Sequence, residues 1–324
     1  MAEKSAAEKH LFDFERPVGD LFRKIEELNK LAEAGKMDMS EEIKMVKKRI
    51  DAIRQEIFAK LTPYQVVQIA RHIMRPTTYD YIDLIFRDFV ELHGDRNFGD
   101  DKALIGGIAL LDNKPVVVIG HQKGHTTKEL ISRYFGMAHP EGYRKALRLM
   151  RLAQRFNRPV ISLVDIQGAY PGLGAEERGQ AEAIAKNLRE MIGLTVPFIT
   201  VVTGEGGSGG ALGIGMGNRV LMLEFAVYSV ISPEGCASIL FRDAKRAAEA
   251  AEVSKITAKD LLEFGIIDDI VKEPVGGAHN DHKLAASNVK TAILKHLGEL
   301  SRLSPRELIA DRYNKYRRMG IYSE

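Results

Sequence analysis

The sequence predicts an α/β fold whose strands end in glycine-rich turns, and three observations carry that reading. Short apolar runs of strand length alternate with longer stretches of helical period from residue 104 onward. The unit strand, glycine turn, helix occurs twice in succession, at 160–191 and again at 196–212. In both units the glycines follow the strand, at the edge of an open α/β sheet where ligands bind.

Taken in order, residues up to Pro17 form a loosely held arm that Phe12, Phe14 and Pro17 anchor. Leu21, Ile25 and Leu28 give helical spacing ended by Gly35. Ile43, Val46, Ile50, Ile53 and Ile57 then alternate steps of three and four, a heptad-like seam. The two helices read as a hairpin, with the seam packed on its own partner helix or on another subunit. Thr62-Pro63-Tyr64-Gln65 is a helix start with cap, first-turn proline and reach-back glutamine. A further helix carries Tyr81, Ile82, Ile85, Phe86 and Phe89, and His93-Gly94 is a turn with a surface histidine. Residues 104–111 and 115–119 are strands joined at Asp112-Asn113. Pro140 opens a helix with Ala146, Leu149, Ala153 and Phe156 on one face. Strands follow at 160–164, 196–202, 220–223 and 228–232. Cys236 reads as a small buried side chain. The tail from Leu284 is helical and ends basic, with Arg302, Arg306, Arg312, Lys315, Arg317 and Arg318 on a solvated face. The expected organisation is an arm and hairpin over 1–75, a core over 76–275 and a helical tail over 276–324.

The 324 residues, 45% hydrophobic and 28% charged, suit a soluble chain with a large core. A net charge of +3 does not argue for nucleic acid as main partner, which leaves only the basic tail as a nucleic-acid contact. One cysteine excludes an internal disulfide and a multi-cysteine zinc site. The polar start contains no apolar signal region, and a cytoplasmic protein is expected.

The stretch 201–223 decides the chemistry. Gly204-x-Gly206-x-x-Gly209 matches a dinucleotide fingerprint, with Glu224 near the place of a ribose ligand. Gly206-x-Ser208-x-Gly210 matches a nucleophile elbow, with His279 and His282 downstream as bases. A third reading is a backbone oxyanion hole at Gly206 and Gly207 with no side-chain nucleophile. A fourth is a tight turn whose glycines only permit close helix–sheet packing. Against the fingerprint, the helical stretch 208–217 is short for a crossover helix and comes late in the chain. Lys123 and Lys128, in and beside the loop Gly120-His121-Gln122-Lys123-Gly124, are candidate phosphate contacts.

Seven motifs then resemble one family. They are Leu92-His93-Gly94-Asp95-Arg96, Gly120-His121-Gln122-Lys123-Gly124, Pro140-Glu141-Gly142-Tyr143-Arg144-Lys145-Ala146, Gly168-Ala169-Tyr170-Pro171-Gly172, Ala175-Glu176-Glu177-Arg178-Gly179-Gln180, Gly204-Glu205-Gly206-Gly207-Ser208-Gly209-Gly210 and Ser229-Val230-Ile231-Ser232-Pro233-Glu234-Gly235. The chain resembles the alpha subunit of the carboxyltransferase of bacterial acetyl-CoA carboxylase from Phe12 to the tail. One departure is Ile166-Gln167, at the edge of a loop.

The resemblance implies a crotonase-like fold of ββα units with an N-terminal helical hairpin and C-terminal helices. It implies a zinc-containing beta subunit in an α₂β₂ assembly, a biotin carboxyl carrier protein and biotin carboxylase. The carboxyl group arrives on biotin and leaves on acetyl-CoA as malonyl-CoA, the first step of fatty acid synthesis. A different short acyl-CoA is the alternative acceptor, since the acyl pocket is expected in the partner. Gly206 and Gly207 are then expected to stabilise the ureido oxygen of biotin through their amides, with no metal in this chain. Gly168, Ala169, Tyr170, Pro171, Gly172, Ser208 and Gly209 are expected to bind substrate, and Lys123 and Lys128 to meet CoA phosphates. Gly207→Val is expected to block the biotin ring while leaving the fold nearly intact.

Overall fold

The computed structural model describes residues 11–35 and 38–320. The expected arm therefore falls partly outside the described residues. Two helices, α1 (Arg16–Glu33) and α2 (Ser40–Phe58), form the expected hairpin. Of the α2 seam Ile50 is buried, while Ile43, Val46, Ile53 and Ile57 are half-buried. Glu15 and Arg54 fix the base of the hairpin as a buried ion pair of 3.0 Å.

Two short helices, α3 (Pro63–Ala70) and α4 (Thr78–Ile85), lead into the sheet. Thr62 and Gln65 make the expected reciprocal cap on α3. The expected helix through Phe89 stops at Ile85, because β1 (Arg87–Glu91) follows as an edge strand. Its half-polar sequence Arg-Asp-Phe-Val-Glu hides the strand from a reading of apolar runs. β2 (Leu104–Leu111) and β3 (Lys114–His121) then form a hairpin. Asp112 and Asn113 both have positive φ, as a two-residue hairpin turn requires.

The rest alternates. α5 (Thr127–Ser132) and α6 (Pro140–Arg155) precede β4 (Val160–Ile166), and α7 (Leu173–Glu177) and α8 (Gln180–Ile192) precede β5 (Phe198–Gly207). α9 (Ser208–Gly215), β6 (Arg219–Leu223) and β7 (Val227–Ser229) follow. Then come α10 (Pro233–Phe241), α11 (Ala247–Ser254), α12 (Ala258–Glu263), β8 (Asp269–Val271), α13 (His282–Leu300) and α14 (Pro305–Arg317).

One sheet runs β1-β2-β3-β4-β5-β6-β8, with β7 paired to the far end of β5. The first three strands are antiparallel and every pairing from β3 onward is parallel. β4 and β5 are buried along their whole length, which explains why both are mostly apolar rather than alternating. The C-terminal ends of β3, β4 and β5 lie side by side and carry the sequence motifs of interest.

The tail corrects one expectation. Leu297, Leu300 and Leu308 belong to the same buried core as Val201 and Leu221. Arg312 is fully buried, and it donates to the carbonyls of Met191 (3.0 Å), Leu194 (2.8 Å) and Val196 (3.1 Å). Lys315 pairs with Asp268. The basic run is therefore not one solvated face, and two of its cations are committed inside the chain. Among the described residues no helix is long and apolar enough to cross a membrane.

Candidate functional site

The glycine stretch is not a loop. β5 continues through Thr203, Gly204 and Glu205 to Gly207, and α9 begins at the next residue. Gly206 pairs with Ile166 on one flank and Tyr228 on the other, and Gly207 pairs with Ser229. α9 has no side-chain cap, and its first N–H groups have no acceptor within the helix. Ser208 is exposed and Gly209 half-buried, so the helix opens toward accessible space. Ser208 also has φ of 52°, a conformation that side-chain-bearing residues rarely adopt and that concentrates at functional sites.

The two glycine motifs meet here. A Cβ on Gly207 would overlap the carbonyl of Gln167, and one on Gly210 would come within 2.6 Å of the Ala169 nitrogen. Residues 167–169 therefore press directly on the β5–α9 junction, and both glycines are needed for that approach. This corrects the expectation for Gly207→Val, because the added side chain meets protein backbone and not open space. Gly168 has no atom within 4 Å of where a Cβ would stand. Tyr170 stacks on His139, with centroids 4.1 Å apart, and Gln180 holds the loop by donating to the Tyr170 carbonyl at 3.0 Å. Pro171 is exposed and Gly172 half-buried against the Tyr170 ring. Ile166 ends β4 buried and Gln167 is exposed, so the departure from the family pattern sits at the junction itself.

The literal motif matches fail on geometry. Gly204 and Gly206 are strand residues and not the turn of a dinucleotide fingerprint. Glu224 pairs with Lys272 at 2.6 Å. The two proposed bases are engaged elsewhere: His279 stacks on His72 at 4.0 Å, and His282 meets the Met74 carbonyl at 2.8 Å. Among the described residues no imidazole hydrogen-bonds to Ser208, so a serine elbow lacks its base. Cys236 is half-buried, its sulfur 3.7 Å from the Ser254 hydroxyl, and not the buried side chain expected.

Beside the junction lies a cavity of about 240 Å³ walled by Arg71, Lys123, Asp165, Gln167 and Glu205, among others. Lys123 donates to Asp165 (2.7 Å) and Glu205 (3.2 Å). Arg71 donates to Glu205 (2.7 Å) and Glu234 (2.7 Å). Burial works against the charge on Lys123, but Asp165 and Glu205 outweigh it and leave its pKa raised. His121, one turn of chain earlier, is fully buried, and burial with the nearby Lys123 charge pushes its pKa down to about 3. Lys128 stands exposed on α5, apart from these pairs. Sequence reasoning missed this charge chain. Its one signal is a pair of acids, Asp165 and Glu205, inside otherwise apolar strand ends.

A second, larger groove of about 760 Å³ starts at Ser208 and Gly209 and is lined by Leu212, Val230, Ile231 and Phe264, among others. Val230 is 84% exposed.

Comparison with known proteins agrees with the motifs. Residues 11–320 match the family model described as acetyl co-enzyme A carboxylase carboxyltransferase-like. A protein of Geobacter metallireducens called acetyl-coenzyme A carboxylase carboxyl transferase subunit alpha is 58% identical over 98% of this chain and 100% of its own length. The protein of the same name from Thermus thermophilus is 55% identical over 96% of this chain and 99% of its own. Among solved structures, transcarboxylase 12S superposes with a TM-score of 0.57 at 22% identity, covering 69% of this chain and 41% of that one. A Pseudomonas malonate decarboxylase heterotetramer superposes with a TM-score of 0.56 at 18% identity, covering 68% of this chain and 89% of that one. These likenesses bear out the crotonase-like fold. With the motifs, the fold and the full-length matches in agreement, the chain belongs to the acetyl-coenzyme A carboxylase carboxyltransferase family, among its alpha subunits.

Proposed function

We propose that the chain is the carboxyltransferase alpha subunit of an acetyl-CoA carboxylase, moving the carboxyl group of carboxybiotin, borne on a carrier protein, to acetyl-CoA. The observation that carries this reading is the β5–α9 junction, where a glycine strand end runs straight into an uncapped helix beside the loop 168–172. Amides at a helix N-terminus suit an oxygen that gains negative charge, and the open space at Gly168 suits a flat ring beside it. Carboxybiotin supplies the activated carboxyl group.

The chain's part is to receive charge. The amides of Gly206 and Gly207, extended by those of Ser208 and Gly209, would hold the ureido oxygen of a bound carboxybiotin and favour negative charge on it. The close approach of 167–169 excludes water from one side and fixes the strand end. Loss of one such donor raises the barrier by about 3 kcal/mol, roughly a hundredfold in rate. For the phosphates of CoA, Lys128 keeps an exposed ammonium, whereas Lys123 is committed to two carboxylates.

The acceptor methyl develops a second oxyanion on its thioester, which a partner must serve. A beta subunit in an α₂β₂ assembly fits that need, and the apolar groove from Ser208 to Val230 offers it a surface. The test is reconstitution. Malonyl-CoA should form when this chain is mixed with its beta subunit, biotinylated carrier protein, biotin carboxylase, ATP, bicarbonate and acetyl-CoA. The chain without the beta subunit should be inactive, and robust transfer by it alone would sink the division of labour.

A further inference from the structure

Three strand ends meet at Lys123. From the loop after β3 its ammonium reaches Asp165 on β4 and Glu205 on β5, at 2.7 and 3.2 Å. Asp165 also accepts from the backbone N–H of Glu205 at 2.9 Å, and its carboxylate fills the space a Cβ on Gly204 would need. Both carboxylates are buried, Asp165 being 7% and Glu205 5% exposed. Glu205 directly precedes Gly206 and Gly207, so whatever moves Glu205 moves the β5–α9 junction. We propose that Lys123 is a positioning residue for carboxyl transfer, holding the Asp165–Glu205 pair together and so setting where the junction amides stand. The proposal rests on the junction being the oxyanion site.

Among the described residues the other cations near the pair are already engaged. Arg71 is shared between Glu205 and Glu234. Arg75 faces Asp165 electrostatically but is bound to Glu273 at 2.8 Å and to the Thr203 carbonyl at 2.7 Å. Tyr81 is fully buried nearby, and burial first, then Glu273 and Asp165, drives its pKa up, so it offers no charge. His121 is held neutral, as described. Without Lys123, two buried carboxylates face each other in low dielectric with Arg71 alone on Glu205, and the strand ends that carry them are pushed apart.

The test uses the complete alpha–beta complex with Lys123→Met, Lys123→Arg and the double variant Lys123→Met/Glu205→Gln. Two readouts are taken: transfer kinetics, and amide hydrogen exchange over residues 203–211. Lys123→Met should lower kcat at pH 8 by about a hundredfold, the cost of a small misplacement at a reacting centre, with KM for acetyl-CoA held. Exchange over 203–211 should be faster than in wild type. Lys123→Arg should restore most of both. The double variant, which removes one carboxylate charge, should recover part of the lost kcat and slow exchange toward wild type, and it carries the test if the single variant does not fold. Unchanged exchange in soluble Lys123→Met overturns the positioning role. So does a loss that Glu205→Gln does not relieve. Faster exchange with normal transfer overturns the proposal from the other side, because the junction would then not be where charge develops.

Discussion

The two ends of β5 are held by different physics. At its start, Arg312 of α14 reaches in and donates to neutral carbonyls of Met191, Leu194 and Val196 and to the Asn218 side chain at 2.5 Å. At its finish, Glu205 is held by Lys123 and Arg71 through charge. The first end is sealed, with Arg312 fully buried. The second opens on a cavity and on the uncapped start of α9. Neutral acceptors make a pin whose strength is insensitive to pH in the physiological range. Burial lowers the Arg312 pKa only to about 10, so it stays charged at pH 7. A chain of buried charges makes a holder that aims groups closely but depends on every member remaining ionised. The sheet is thus anchored at one end and aimed at the other.

Gly207→Val breaks the comparison most directly. The added carbon meets the Gln167 carbonyl, so the loop and the junction must separate. Expected are complete loss of transfer and destabilisation of about 3 kcal/mol or more. Thermal unfolding and the transfer assay check it, and a wild-type melting temperature with transfer abolished would restore the view that the side chain meets ligand space.

Arg312→Met tests the sealed end. It strips donors from several buried carbonyls and should cost about 3 kcal/mol. Yet kcat of the folded protein should stay within about twofold of wild type, since the site lies at the other end of the strand. Denaturant unfolding and active-site-normalised kinetics check this. A large fall in kcat with little loss of stability would show the two ends to be coupled.

His125 sharpens the charged side. It bonds Asp80 at 2.9 Å, and that hydrogen bond raises its pKa to about 9. A group with a raised folded-state value contributes stability in full below its unfolded value near 6.5. That contribution declines above 6.5 and is gone above about 9. His125→Asn should therefore cost about 1 kcal/mol at pH 6 and nothing measurable at pH 9.5. Melting temperatures of the two proteins at both values decide it, and a gap that widened with pH would reverse the assignment.

How much of this was legible in the sequence varies with the physics. β4 and β5 are buried on both faces, so their apolar runs betray them. β1 is a half-polar edge strand and β8 has three residues, so neither shows an apolar run. The meeting of 168–172 with 206–210 was foreseeable from two glycine turns on adjacent strand ends. Arg71 was not, since an arginine just past a short helix carries no sign of its partners, Glu205 and Glu234, more than 130 residues away. Arg312 misled for the same reason: in a basic run, the one buried residue looks like the rest.

Ser208→Ala is the smallest change and separates the chemistries most cleanly. Ser208 stands at the first position of α9 with its side chain exposed and with φ of 52°. Alanine tolerates that backbone no better than serine, so the strain is kept while the hydroxyl is removed. If the amides do the work, nothing essential is lost. Surface changes of this kind stay within about 0.5 kcal/mol, roughly twofold in rate. A hydrolase-like mechanism would instead lose nearly all activity, because the hydroxyl would be the attacking group. Ser208→Gly adds a second measurement at the same atom. It relieves the positive φ and should raise stability slightly, again without loss of transfer. If both variants lost transfer as completely as Gly207→Val while the alpha–beta complex still formed, the amide-only site at the open end of β5 would have to be abandoned.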